Sequence, residues 1–390
     1  MISVTEARQI VAAQCRLLEA VNIPFQQSVG YVLAEDLVSP VSIPFFRQSS
    51  MDGYAIRAAE KDQLLHLQDA LPAGSSRELT LAPGNAIRVF TGGPVPEGAD
   101  TVVQQEWISL KDKAIQINDH PVETGAHIRL PGADIGKDVV AMPAGTCINA
   151  MHIGLMASLG ITSVTVYRKP RVAILITGNE LVQPGNELLF GQVYDSNSFG
   201  LTACLQQLHI SSISVSFTKD SLAETETAIE KALLGNDLLL ITGGVSVGDH
   251  DHVAQACADL GIVKQFHGVK QRPGKPLFFG TTQNKWVFGL PGNPASVLSC
   301  FYQYVIPFMH GLTGGKPVQP LQAILANDFD KRAALRFFLK GSYAAGVVKV
   351  LAAQASFQQT AFVQANCWIE LPEEAAVFPA GTMVTIHPFL

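Results

Sequence analysis

Charge is scarce in this 390-residue chain: Asp, Glu, Lys and Arg make up 15% of it, where an ordinary soluble domain carries about 25%. Lys and Arg number 27 against 33 Asp and Glu, a net charge of −6, which argues against the basic footprint of a nucleic-acid or anionic-membrane binder. Any anionic ligand must therefore meet a local cluster of cations. Hydrophobic residues reach 47%, so disorder is excluded, yet no apolar run approaches the roughly 18 residues of a membrane span. Glu6, Arg8, Arg16 and Glu19 break up the first residues where a signal peptide would be apolar, and the expected compartment is the cytoplasm. The six cysteines are scattered, the closest pair, Cys257 and Cys300, lying 43 positions apart. No zinc or redox spacing exists, and they read as small buried hydrophobes.

What is present is organisation. At roughly 150 residues per domain the length predicts two to four domains. Ser3-x-x-Glu6 reads as a capping box opening an amphipathic helix to about residue 20. From about residue 39 short strand-like runs (Ala86–Phe90, Thr101–Gln105, Ala114–Ile117, Val139–Met142) alternate with Gly/Pro turns, predicting a β-rich module. The continuous apolar run 171–177 predicts a strand covered on both faces, and strands and helices alternate after it: a helix from about Ser198, a strand Ile213–Phe217, a helix Leu222–Leu234, a strand Asp237–Thr242 and a helix His250–Leu260. That alternation implies a doubly wound α/β domain with its ligand at the carboxyl ends of the strands. Asn293-Pro294 predicts the start of an apolar helix running to Phe308, 311–317 reads as a linker, and 321–390 as a small β-barrel or sandwich.

Six segments could carry chemistry. Ser50-Met-Asp52-Gly-Tyr-Ala55 sets a carboxylate in a polar loop. Thr91-Gly-Gly-Pro-Val-Pro-Glu-Gly-Ala-Asp100 follows a strand with glycines that let backbone N–H groups converge on an anion. Thr177-Gly-Asn-Glu180 places a carboxylate just past a buried strand, and Asp195-Ser-Asn197 offers either a ligand group or helix caps. Gly243-Gly244-Val-Ser246-Val-Gly248-Asp-His250-Asp251 runs from strand to helix, an anion-binding geometry. It also matches the serine-hydrolase elbow, which would need a later acid and a later histidine such as His267 or His310, and His250-Asp251-His252 could suggest a transition-metal site. Arg272-Pro-Gly-Lys275-Pro276 presents two cations on a stiff turn, as phosphate recognition favours, and Gly289-Leu-Pro291-Gly-Asn-Pro294-Ala-Ser296 is a rigid turn that could serve as a ligand wall.

Together, and in this order along nearly the whole chain, these segments resemble the molybdopterin molybdenumtransferases, the MoeA proteins and the similar E domain of gephyrin. The resemblance implies an α/β multidomain chain. An N-terminal and linking region covers 1–38 and is continued by 139–168; an inserted β-rich domain covers 39–138; a doubly wound, MogA-like molybdopterin-binding domain covers 169–317; and a C-terminal β-barrel covers 318–390. It implies insertion of molybdate, the substrate, into adenylylated molybdopterin with Mg²⁺-dependent release of AMP. It also implies a homodimer whose cleft is shared between the α/β domain of one subunit and the inserted domain of the other, and an upstream adenylyltransferase that delivers the pterin.

By that resemblance Glu180, Asp220 and Asp251 are metal or molybdate-side residues, and Asp52 joins them as catalytic. Thr91, Arg129 and Asp134 match positions on the partner subunit's side of the cleft. Asp195, Gly243, Gly244 and Ser246 border the substrate, Arg272 and Lys275 neutralise phosphate, and Pro291, Pro294 and Ser356 form a wall. Mg²⁺ is also what the charges require, because carboxylates beside a polyanion repel it unless a divalent cation lies between. The chain departs from the family at Gly268, where lysine is usual and the next lysine is Lys270; at Lys340, where arginine is common; and at the bulky Phe357. A scaffold or peptide-binding protein of the same fold and a tungstate-specialised paralogue are the alternatives.

Overall fold

The computed structural model describes residues 1–245, 252–374 and 377–390. They form two compact units, one of Met1–Ala34, Gly145–Asn149 and Thr165–Leu390, the other of Glu35–Ala144 and Ala150–Val164.

The first unit is built on a six-stranded sheet in the order Ile213–Thr218, Val172–Thr177, Leu238–Thr242, Lys285–Leu290, Phe278–Thr282, Val263–His267. The first four strands are parallel, and Phe278–Thr282 runs antiparallel to both of its neighbours, Lys285–Leu290 and Val263–His267. The strand Val172–Thr177 is buried at every position, because alternate side chains feed two cores. Ile174 and Ile176 face one core with Leu240, Phe279 and Phe288. Ala173 and Leu175 face the other with Ile229, Leu239 and Cys257. Helices Asn197–Gln207, Leu222–Leu233 and Val253–Asp259 fit the expected alternation, while the antiparallel strand makes the sheet mixed.

The first helix starts where the capping box puts it, with the Glu6 N–H donating to Ser3 Oγ at 3.1 Å, but it runs only Val4–Ala13. Its buried stripe is Val4, Ala7 and Val11; beyond it Cys15 and Leu18 are only partly buried against the core and Leu17 is exposed. A second helical stretch is longer than its sequence pattern: α-helix Pro294–Cys300, a π turn Phe301–Val305, and α-helix Ile306–Leu312. The π turn sits where Pro307 has no N–H to offer the helix ladder. Three cysteines, Cys257, Cys300 and Cys367, are buried as expected; Cys147 is exposed.

Beyond it, Leu321–Leu325, Arg336–Ala344, Val347–Val350, Cys367–Leu371 and Met383–Pro388 form a barrel, closed because Arg336–Ala344 pairs with both Val347–Val350 and Cys367–Leu371. The segment Gln271–Arg272 adds to it in parallel beside Arg336 and Phe337.

The second unit holds another six-stranded sheet, in the order Thr101–Gln104, Gly53–Ile56, Asn85–Val89, Leu65–Leu71, Ala114–Ile117, Ile108–Lys111. Ile87 and Val89 pack on one core with Ala55 and Leu71, and Ala86 on another with Ile56 and Leu65. Among the described residues no helix is long and apolar enough to cross a membrane.

Candidate active site

At the carboxyl ends of the parallel strands a cleft of about 340 Å³ is lined by Thr177, Gly178, Glu180, Asp220, Gly243, Gly244, Val245, Pro276, Pro291, Gly292 and Asn293. Segments distant in sequence meet here because the strands Val172–Thr177 and Leu238–Thr242 run parallel and end together, with Ile176 opposite Thr242. The glycines are a steric requirement. Gly243 has φ +86°, and a Cβ on it would lie 2.5 Å from the Thr177 carbonyl oxygen; Gly244 has φ +62°, with Thr177 Oγ1 at 3.0 Å. Any side chain at either would drive the two strand ends apart.

Glu180 and Asp220 border this one cleft, as their expected shared role requires. Glu180 folds back over Gly178, where a Cβ would meet Glu180 Oε2 at 2.8 Å. Asp220 is positioned by Asn179: the Asn179 N–H donates to Asp220 Oδ2 at 3.3 Å, and the Asp220 N–H donates to Asn179 Oδ1 at 3.4 Å. Thr177 and Thr242 each bury a hydroxyl without a partner among the described residues. Thr177 and Asn293 line the cleft although the motifs point first to their neighbours, and Asn179 stands behind it as the partner of Asp220; polar residues at strand ends beside the Gly-Asn-Glu turn were the available signal.

The donor set suits a hard, oxygen-seeking cation such as Mg²⁺, which takes one or two carboxylates and keeps waters and substrate oxygens as its other ligands. Among the described residues no group of three His, Cys, Asp or Glu is placed to hold a metal. Ser246, His250 and Asp251 lie outside the described residues. His267, one of the two histidines suggested for an elbow serine, has its Nε2 2.7 Å from the Val245 carbonyl oxygen.

Other expected residues sit elsewhere in the same unit. Asp195 is buried, and both its carboxylate oxygens accept hydrogen bonds from Ser198, one from the backbone N–H at 3.1 Å and one from the hydroxyl. It thus caps the helix Asn197–Gln207 and is not among the cleft-lining residues. The Arg-Pro-Gly-Lys-Pro turn is held from beneath: Gln271 Nε2 donates to the Gly274 carbonyl at 2.9 Å and the Tyr304 hydroxyl donates to Gln271 Oε1. Pro276 thereby reaches the Glu180 cleft, Lys275 is exposed, and Arg272 lines a second cleft of about 280 Å³ with Asp330, Arg332 and Phe337, its guanidinium 5.5 Å from the Phe337 ring centre. Pro294 opens its helix beside Ser356, whose carbonyl accepts the Ala295 N–H at 3.0 Å.

In the second unit Asp52 and Thr91 form one corner. Asp52 Oδ1 accepts both the Thr91 N–H, at 2.7 Å, and the Thr91 hydroxyl, at 2.8 Å. The Thr91 N–H, then its hydroxyl, and the positive charge of Arg88 hold the Asp52 carboxyl below the usual range. Arg129 pairs across a short ladder with Gln48 and donates to its Oε1 at 3.4 Å, while Gln48 Nε2 donates to the Gly92 carbonyl at 3.1 Å, which ties Arg129 to the residue after Thr91. Asp134 is exposed on a loop whose N–H donates to the Ile43 carbonyl at 2.9 Å.

Comparison with known proteins agrees with this architecture. Residues 2–160 match the MoeA N-terminal region (domain I and II), 173–311 a probable molybdopterin binding domain, and 322–389 the MoeA C-terminal region (domain IV). The chain is 36% identical to the molybdopterin molybdenumtransferase of Haemophilus influenzae, with 97% of each chain covered. To a molybdopterin molybdenumtransferase of Nostoc it is 39% identical over 73% of this chain and 67% of the relative. A crystal structure of the molybdopterin biosynthesis MoeA protein of Pyrococcus horikosii superposes with a TM-score of 0.87 at 28% identity, covering 100% of this chain and 99% of that one. Fold and cleft thus define a transferase of molybdenum cofactor biosynthesis. The chain belongs to the molybdopterin molybdenumtransferase family, MoeA.

Proposed function

We propose that this enzyme inserts molybdate into adenylylated molybdopterin and releases AMP in a Mg²⁺-dependent step. The observation that carries the reading is that Glu180 and Asp220 line one cleft together with the Gly243–Gly244 turn. Glu180 and Asp220, with Asp251 as the expected third ligand, would hold Mg²⁺, which when bound neutralises charge on the phosphoanhydride. Asn179 keeps Asp220 oriented, and Gly243 and Gly244 let substrate approach the backbone. Arg272 and Lys275 supply cations on the rigid turn, and Pro291, Pro294 and Ser356 shape the wall.

The active species is a cytoplasmic homodimer in which Asp52, Thr91, Arg129 and Asp134 of the partner copy complete the cleft. The low charge fraction of 15% supports this, since it suits surface buried between copies. An adenylyltransferase must supply the substrate, because this reaction consumes an adenylylated pterin.

The test is AMP release from adenylylated molybdopterin with molybdate and Mg²⁺, by the parent and by Glu180→Gln and Asp251→Asn. AMP release that survives in both variants and after chelation of divalent ions rejects the metal assignment; none from the parent rejects the reaction. Sedimentation as a monomer at micromolar concentration rejects the shared cleft.

A further inference from the structure

The second unit contains five arginines, Arg47, Arg57, Arg77, Arg88 and Arg129. Arg77 is paired with Asp69 and Arg57 with Glu60, and Arg47 donates to the Ala99 carbonyl. Arg88 and Arg129 differ: neither has a carboxylate within ion-pair distance among the described residues, and the one side chain each donates to is a glutamine amide oxygen, that of Gln105 and Gln48 respectively. Both flank the Asp52–Thr91 corner.

Arg88 is the more rigidly held. It lies on the strand Asn85–Val89, directly across the ladder from Tyr54. Its guanidinium carbon is 4.8 Å from the Tyr54 ring centre and 5.1 Å from that of Phe90. Gln105, which accepts from Arg88 Nη2, also donates its backbone N–H to the Asp52 carbonyl at 3.1 Å, so Arg88 and Asp52 share one frame. A half-buried guanidinium held by two rings has already lost its rotamer freedom, and its planar fork matches a tetrahedral oxyanion. Its Nε and Nη1 have no acceptor among the described residues.

We infer that Arg88 is a second anion-binding arm of the Asp52–Thr91 corner, beside Arg129, taking a phosphoryl or molybdate oxygen of the substrate pair. The inference rests on the reading of this corner as substrate-facing. Tyr54 and Phe90 act as positioning residues for it, and Asp52 limits how much negative charge the site accepts without that arm.

The experiment compares Arg88→Lys and Arg88→Gln in the full chain, with Arg57→Gln as the control for a paired arginine of the same unit. KM is measured separately for adenylylated molybdopterin and for molybdate, and affinity for inorganic pyrophosphate and for molybdate by calorimetry. Loss of the fork is expected to raise KM about 10-fold in Arg88→Lys and about 100-fold in Arg88→Gln. A rise for the pterin alone identifies the phosphoryl group as the ligand; a rise for molybdate alone identifies molybdate. Wild-type KM values for both substrates, with unchanged pyrophosphate and molybdate affinity, overturn the inference. Should the parent release no AMP, the transferase reading fails by itself, and equal pyrophosphate and molybdate affinity of parent and Arg88→Lys still decides against the arm. Arg88→Lys keeps the charge and the stem, so it serves if Arg88→Gln does not fold.

Discussion

At Gly268 the backbone has φ +88°, and a Cβ there would lie 2.9 Å from Met1 Cγ. The Ile2 N–H donates to the Gly268 carbonyl at 3.2 Å, and the Lys270 N–H to the Ile2 carbonyl at 2.9 Å. The departure from the family's lysine therefore has a local cause: the N-terminal residues run across this position, and glycine lets them. Gly268→Lys is expected to cost about 1–2 kcal/mol for the left-handed conformation, read by urea denaturation; an increase in stability would show that the N-terminal contact is dispensable. Lys340 likewise has a structural occupation. It is buried, its Nζ donates to the carbonyls of Ala355 at 3.2 Å and Gln358 at 2.8 Å, and burial pulls its pKa down. Lys340 is thus a clamp on the loop that carries Ser356, while Phe357 beside it is exposed. Thr91 offers a different kind of test. Thr91→Val removes one of the two donors that depress the Asp52 pKa and keeps the backbone one. A depressed carboxyl stays ionised above its folded pKa and loses its contribution as pH falls through it. The acid limb of the pH–activity profile should therefore move to higher pH in Thr91→Val; a limb that stays put would place the controlling group elsewhere.

Elements with strong local signals were readable in advance. The strand Val172–Thr177 announces itself by six consecutive apolar or β-branched residues, and the helix expected over Leu222–Leu234 is found at Leu222–Leu233, with the Glu224 N–H donating to Ser221 Oγ at 3.4 Å. Legibility failed where tertiary contacts decide. The first helix has helix-compatible residues past Ala13, but tertiary contacts take over there: Cys15 and Leu18 pack on the core outside the helix, and the Leu18 N–H donates to the Leu312 carbonyl at 2.8 Å. The hairpin Val263–His267 with Phe278–Thr282 is split by the Arg-Pro-Gly-Lys-Pro turn, so its two halves do not look adjacent in sequence. In the candidate site, Glu180 was singled out by its place just past a buried strand and Asp220 by the family resemblance alone, whereas Asp195 stood open between ligand group and helix cap and the diversion of Arg272 into a second cleft left no sign in the sequence.

A polar junction of the same kind joins the first helix to the barrel. Glu370 accepts from Arg8 at 3.0 Å, Arg336 at 2.8 Å and His387 at 2.7 Å. Burial alone would raise its pKa, but hydrogen bonding by His387 and the charge of Arg8 outweigh it and bring the carboxyl down to about 2. Because the folded pKa lies below the ordinary value, the contribution is complete above about pH 4.5 and fades as pH falls toward 2. Glu370→Gln should lower stability at pH 7 by about 3 kcal/mol and flatten the pH dependence over that window. Parallel stability curves for parent and variant from pH 5 to 2 would show that Glu370 does not carry it.

At the scale of the molecule, the chain order of domains was readable from texture, but the sharing of one core was not. Trp368 and Phe338, both from the barrel, sit in the same buried cluster as Leu240, Phe288, Phe301 and Val11 of the α/β part. Trp368 is fully buried, with edge contacts to Phe362 and Phe389 at 5.5 and 5.7 Å between ring centres. No local pattern could report this, since Phe301, Phe288, Leu240 and Val11 lie far upstream in the chain. A barrel whose largest side chain belongs to its neighbour's core cannot melt alone, whereas the unit of Glu35–Ala144 and Ala150–Val164 has its own cores. Scanning calorimetry should therefore resolve two transitions, with residues 318–390 melting together with the sheet of the first unit. Trp368→Ala should destabilise that transition by about 3–5 kcal/mol and leave the other in place. A third, separate barrel transition, or a shift of both by the same amount, would contradict this division, because cooperativity follows shared burial rather than the order of segments along the chain.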